Sequence, residues 1–233
     1  MGAHKICNKI KEKFYDIAVR ESSDLVEKIK EHPFNVELMN STLDYEKFKF
    51  YLQQDFLYLV DCTRALLVIA AKVNDVEIMN SLINVARGTF DVRKQYKKYF
   101  EDCDLSDSHK KSRTCSAFTD FFMCAAYHNS VAEALAASYP CFNIYQIVVH
   151  HMMNKVTTRK VKNNKYEGWI DIYNSKAMNA AINEVTNITN KLYKEAGEHE
   201  KKRMREFFKR GLELELVFWD EVYYFNTPVV KAC

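Results

Sequence analysis

Only five glycines and three prolines punctuate 233 residues, and between them apolar side chains recur every three to four positions. Sustained strand-like alternation is absent, so the chain is expected to be all-α. The periodicity predicts helices over 5–31, 44–73, 75–102, 112–129, 131–155, 175–197 and 199–224, with short helical pieces at 34–40 and 166–173. Asn74-Asp-Val-Glu77 has capping-box spacing, and Ser41-Thr-Leu-Asp44 is a weaker version of it. Pro33 ends the first helix. The polar stretch 103–113 separates two helices. The stretch 157–165 carries four basic residues and no acidic one, and reads as a solvated loop or a phosphate holder. With no repeat, linker or composition break, 1–233 is expected to be one helical domain.

Hydrophobic residues make up 48% and charged residues 28%, a globular balance. A net charge of +3 is too small to argue for nucleic acid. Seven cysteines include no CxxC pair, so neither a zinc site nor a thioredoxin-like motif is indicated. No leader is recognised, and free thiols in a reducing cytoplasm are the expectation. Residues 134–153 contain no Asp, Glu, Lys or Arg. That run also holds Ser138, Pro140, Asn143, Gln146, His150 and His151, too polar for lipid, so a core helix facing a ligand is expected and not a membrane span.

Five groups of residues bear chemistry. Asp55 sits mid-helix in an apolar stretch and shares a face with Tyr58, three residues on. A lone buried carboxylate is costly, so Asp55 either faces a ligand, bonds to a neighbouring helix or meets solvent. Glu215 and Trp219 share a face beside Phe218. That Glu is either a proton-transfer group with a raised pKa or an ordinary surface residue. Trp169 and Tyr173, four apart, are an aromatic pair that suits core packing. Cys141 follows Pro140, which donates no backbone hydrogen bond and disturbs its helix. The thiol is therefore either an inert small hydrophobe or a nucleophile beside a widened pocket. The histidines offer no Glu-x-x-His, and His150 and His151 point about 100° apart on a helix, so no metal site is expected.

QQDFLYL (53–59), PCFNIY (140–145), YEGWIDIY (166–173) and ELVFW (215–219) follow one another in this order. Together they resemble the motifs of the TenA family, the thiaminase II or aminopyrimidine aminohydrolase proteins, in its Cys-containing class. The resemblance covers essentially the whole chain. It implies a haem-oxygenase-like helical bundle, a homotetramer, no cofactor, and hydrolysis of aminomethyl-aminopyrimidine to hydroxymethylpyrimidine and ammonia, extending in many members to thiamine itself. By motif, Asp55 would grip the pyrimidine amino group and ring nitrogen, and Tyr58 would support the pocket. Cys141 would be the nucleophile, and Glu215 the acid/base. Tyr145 and Tyr173 would line the site. Phe118 stands where the family commonly has a pocket Tyr, keeping a ring but losing a hydroxyl. A pyrimidine-binding protein without turnover and an oxidase or haem-type member of the same fold are the alternatives. A covalent route needs a depressed thiol pKa or a nearby base.

Overall fold

The computed structural model describes residues 13–156 and 163–225, which form ten α-helices and no strand. The predicted first helix is two, α1 (Phe14–Glu21) and α2 (Ser23–Lys30), broken at Ser22; its predicted start at 5–12 lies outside the described residues. Pro33 does more than end a helix. It occupies the first turn of α3 (Pro33–Met39), where a missing N–H costs nothing, and His32 caps the helix by accepting from Phe34 N.

Two caps differ from the sequence expectation. Asp75, not Asn74, caps α5 (Val76–Tyr99), its carboxylate accepting from Glu77 N at 3.0 Å and Ile78 N at 3.2 Å. Asp44, not Ser41, caps α4 (Tyr45–Ala71). In both places a carboxylate is available next to the first helical residue, and a charged acceptor suits the positive helix end. Ser41 instead adopts φ 59° and accepts from Lys165 N at 3.0 Å.

The remaining helices are α6 (Arg113–His128), α7 (Val131–Val156), α8 (Glu167–Asn174), α9 (Lys176–Glu195) and α10 (Glu198–Tyr224). Helix α4 packs on α5, α6, α7 and α10, while α7 packs most extensively on α10 and also on α6, α8 and α9. The charge-free run 134–153 is thus a helix packed among others, exposed only toward its end at His150 and Met153. No helix of the described residues is long and apolar enough to cross a membrane.

Helix α10 comes close to α7 because residue 211 is glycine. A Cβ there would lie 2.8 Å from Pro140 Cγ and 2.9 Å from the Ala137 carbonyl oxygen. The ring that disturbs α7 is seated in a notch that only a missing side chain provides. Around this contact the core is aromatic: Trp219 stacks on Tyr51 at 5.3 Å, and Phe34 packs on both. The stretch 103–113 does separate α5 from α6. Buried Gln54 holds its end by accepting from Ser112 N at 2.6 Å and donating to Lys110 O at 3.3 Å. Of the basic stretch, 157–162 lies outside the described residues.

Candidate active site

Helix α4 presents Asp55, Tyr58 and Cys62 along one face, spaced by three and four residues. They form one wall of a cavity of about 320 Å³. Cys141 and Tyr145 from α7 and Tyr173 from α8 form the facing wall, with Gly88, Asp91 and Gln95 of α5 and Met178 of α9 further round.

Asp55 is 3% exposed and its carboxylate has two phenolic partners. Tyr96 donates to Oδ2 at 2.6 Å and Tyr173 at 3.5 Å, while the two hydroxyls lie 2.9 Å apart. Burial raises the Asp55 pKa and the two phenols lower it, leaving it at about 6. Asp55 bonds to neighbouring helices, which is one of the three expectations for it, and it also borders the cavity.

Cys141 is half-buried and donates to the Ser138 carbonyl at 2.8 Å. Burial, then the neighbouring Cys62 thiol, pushes its pKa well above the usual thiol range. The Tyr58 hydroxyl opposes this by lowering it, yet is buried and makes no hydrogen bond of ordinary geometry. The first option of the sequence reading, a depressed thiol, is therefore not what the free protein has, because among the described residues no cation offsets desolvation there. A covalent route must use a base.

Glu215 is 1% exposed, and its Oε2 has no hydrogen-bond partner. Burial first, then Cys141 and Asp55, raises its pKa well above the carboxylate range and so favours its protonated form. The surface alternative for Glu215 is excluded by its burial. Glu215 borders a small void of about 10 Å³ together with Asp55, Tyr58, Phe118, Tyr145 and Phe218. Phe118 belongs to this void and not to the larger cavity, and its ring packs 5.1 Å from that of Tyr58.

Tyr145 and Tyr173 stack at 4.8 Å with an interplanar angle of 21°. Trp169, 4.7 Å from Tyr173, is core as expected and donates to Tyr51 Oη at 3.1 Å. Tyr173 is both core and cavity wall. Trp219, on the Glu215 side of α10, packs into the aromatic core and not into the cavity.

Sequence reasoning missed Tyr96 and Cys62. Tyr96 sits among the charges of RKQYKKYF, and its partner is 41 residues away, so no local pattern marks it. Cys62 stands in no motif of the sequence, although its spacing of seven from Asp55 and four from Tyr58 puts it on their face. Among the described residues no three His, Cys, Asp or Glu side chains cluster as metal ligands would.

Residues 19–224 match the model of the TENA/THI-4/PQQC family. The chain belongs to that family. Its relatives include proteins named aminopyrimidine aminohydrolase. That of Helicobacter pylori is 22% identical over 197 residues, covering 82% of this chain and 90% of the relative. That of Bacillus subtilis is 24% identical, covering 82% of each. Among solved structures, a TenA homologue from P. horikoshii OT3 superposes with a TM-score of 0.81 at 33% identity, over 91% of this chain and 99% of that one. A Shewanella denitrificans protein described as having a heme oxygenase-like fold superposes at 0.71 with 12% identity, over 91% and 95% of the two chains. This TENA/THI-4/PQQC member therefore has the haem-oxygenase-like fold. The site lies between helices that the matched segment contains in full except for part of α1, which contributes nothing to it.

Proposed function

We propose that this chain is an aminopyrimidine aminohydrolase of thiamine salvage, with the thiaminase II reaction on thiamine as a second activity. The observation that carries the reading is geometric: Asp55, Tyr58, Cys141, Tyr145 and Tyr173 line one cavity, and buried Glu215 borders a void that shares Asp55, Tyr58 and Tyr145 with it. The relatives named for this activity support the substrate class.

The roles follow from protonation. An aminopyrimidine presents an amino donor beside a ring nitrogen; a carboxylate accepts from the amino group, and from the ring nitrogen as well when that nitrogen carries a proton. Asp55, with a pKa of about 6, is ionised at neutral pH and held in place by Tyr96. The stacked Tyr145 and Tyr173 rings supply a flat wall. Neutral Glu215 gives its proton to a ring nitrogen, making the ring an electrophile, and the carboxylate so formed takes the thiol proton as sulfur bonds to a ring carbon. That exchange supplies the base a raised thiol requires. The ring electrons then expel the amine as ammonia from the exocyclic methylene, the ring proton going to the leaving group. Water adds at the methylene, and sulfur leaves the ring and regains its proton. The products are hydroxymethylpyrimidine and ammonia.

Purified protein incubated with aminomethyl-aminopyrimidine is expected to release ammonia, and Cys141→Ser to lose most of that turnover while still binding hydroxymethylpyrimidine. A serine hydroxyl is scarcely ionised at neutral pH and is a poorer nucleophile. Binding without ammonia release by the unaltered protein would make it a pyrimidine-binding protein. Near-normal turnover by Cys141→Ser would leave Glu215 to act on water directly.

A further inference from the structure

The cavity holds two thiols, and the reaction above uses one. Cys62 on α4 and Cys141 on α7 both line it, and the two helices pack directly. Cys62 follows Tyr58 by one helical turn, so it lies on the α4 face that borders Cys141. The two thiols are close enough to interact, and Tyr58 interacts with both. Access is unequal. Cys62 is 1% exposed, whereas Cys141 is half-buried at the cavity wall, so a reagent arriving through the cavity meets Cys141 first. The other free cysteines of the described residues, Cys103, Cys115 and Cys124, do not line this cavity.

We propose that Cys62 and Cys141 form a two-thiol site that is bridged by thiophilic electrophiles and closes to a disulfide when a hydroperoxide oxidises Cys141. In the first step the Cys141 thiol loses its proton and its sulfur attacks the peroxide oxygen. The O–O bond breaks, water or an alcohol leaves with that proton, and Cys141 becomes a sulfenic acid while the peroxide is reduced. In the second step the Cys62 sulfur attacks the Cys141 sulfur and expels hydroxide, which leaves as water with the Cys62 proton. Two thiols have lost two electrons and two protons, and the peroxide has taken them up. Burial keeps the resting Cys141 thiol protonated, so closure is slow at neutral pH and quickens as pH rises. Cys62 thereby stops Cys141 at a reducible stage, before sulfinic acid.

The site itself does not depend on the proposed reaction; its effect on activity does. Phenylarsine oxide tests the geometry without an oxidant, because its arsenic bonds two nearby sulfurs and releases one water. One equivalent added to the full chain is expected to bridge the Cys62 and Cys141 peptides in a mass-spectrometric map. Hydrogen peroxide, followed by alkylation of free thiols, is expected to yield the same two peptides joined by a disulfide, with ammonia release lost in parallel. Dithiothreitol should restore nearly all activity to the unaltered chain and little to Cys62→Ser, whose Cys141 should carry two added oxygens. Cys62→Ala, checked for an unchanged helical spectrum, repeats the test should the serine variant fail to fold. An arsenical or disulfide bridge at any other pair, or no bridge, overturns the proposal, as does equal recovery in variant and unaltered chain. Bridging in a fully reduced protein that releases no ammonia would sink the aminohydrolase reading and leave the two-thiol site standing.

Discussion

Burial changes the chemistry of Asp55 and Glu215, raising the pKa of each. For Asp55 the sign is definite. Its folded pKa, about 6, exceeds the unfolded value of 3.8, so the folded state binds the extra proton between those values. Stability is lost as pH rises through that window, and the gap corresponds to about 3 kcal/mol. Asp55→Asn removes the buried charge. Its stability relative to the unaltered chain should therefore increase from pH 4 to pH 6.5, by up to about that amount, in denaturant titrations across the range. The same variant should bind hydroxymethylpyrimidine more weakly. A pH-independent difference would mean that Asp55 is not the titrating group. Tyr96→Phe removes a bond that lowers the Asp55 pKa, so the acidic limb of the activity profile should move to higher pH. Glu215→Gln cannot donate the proton and should cost about 10²–10⁴-fold in turnover, with circular dichroism unchanged; a loss below about threefold would remove Glu215 from the chemistry.

At the scale of the element, the α7–α10 contact decides where Cys141 stands. Pro140 needs room, and Gly211 gives it. In Gly211→Ala the new methyl meets the Pro140 ring and the Ala137 carbonyl, one of them backbone that yields little. We expect a loss of about 1–3 kcal/mol in unfolding free energy and a fall in turnover out of proportion to any loss of binding, because Cys141 follows the displaced proline. An unchanged melting temperature would show that α10 shifts without cost. Ser22 and the caps at Asp44 and Asp75 set where helices begin and end, but none of them touches the cavity.

Across the whole molecule, helices α4, α5, α7, α8 and α9 line one cavity, so a ligand that fills it ties together segments distant in sequence. Hydroxymethylpyrimidine at a hundred times its Kd should stabilise the fold by about 2.7 kcal/mol, and Asp55→Asn at the same concentration by less. A melting temperature that does not respond to the ligand would argue against this cavity as the pyrimidine site. The homotetramer expected from the family resemblance has its own check: light scattering should give four times the mass of one chain.

The sequence by itself determined most of the helices, because periodicity and breakers act within a few residues and need no partner; the break at Ser22 has no such local signal. It also placed Asp55, Cys141, Tyr145, Tyr173 and Glu215 as candidates, since each stands out against an apolar helix or sits in a motif of recognisable order. It did not determine their protonation. Whether a carboxyl is charged depends on what surrounds it in three dimensions, and the Tyr96 phenol beside Asp55 and the Cys141 thiol beside Glu215 come from other helices. The caps moved by one and three residues for a smaller version of the same reason, competition between adjacent acceptors settled by local geometry. Tertiary structure alone decided that Glu215 is a buried acid, that Cys141 rests as a thiol, and that Cys62 stands beside it.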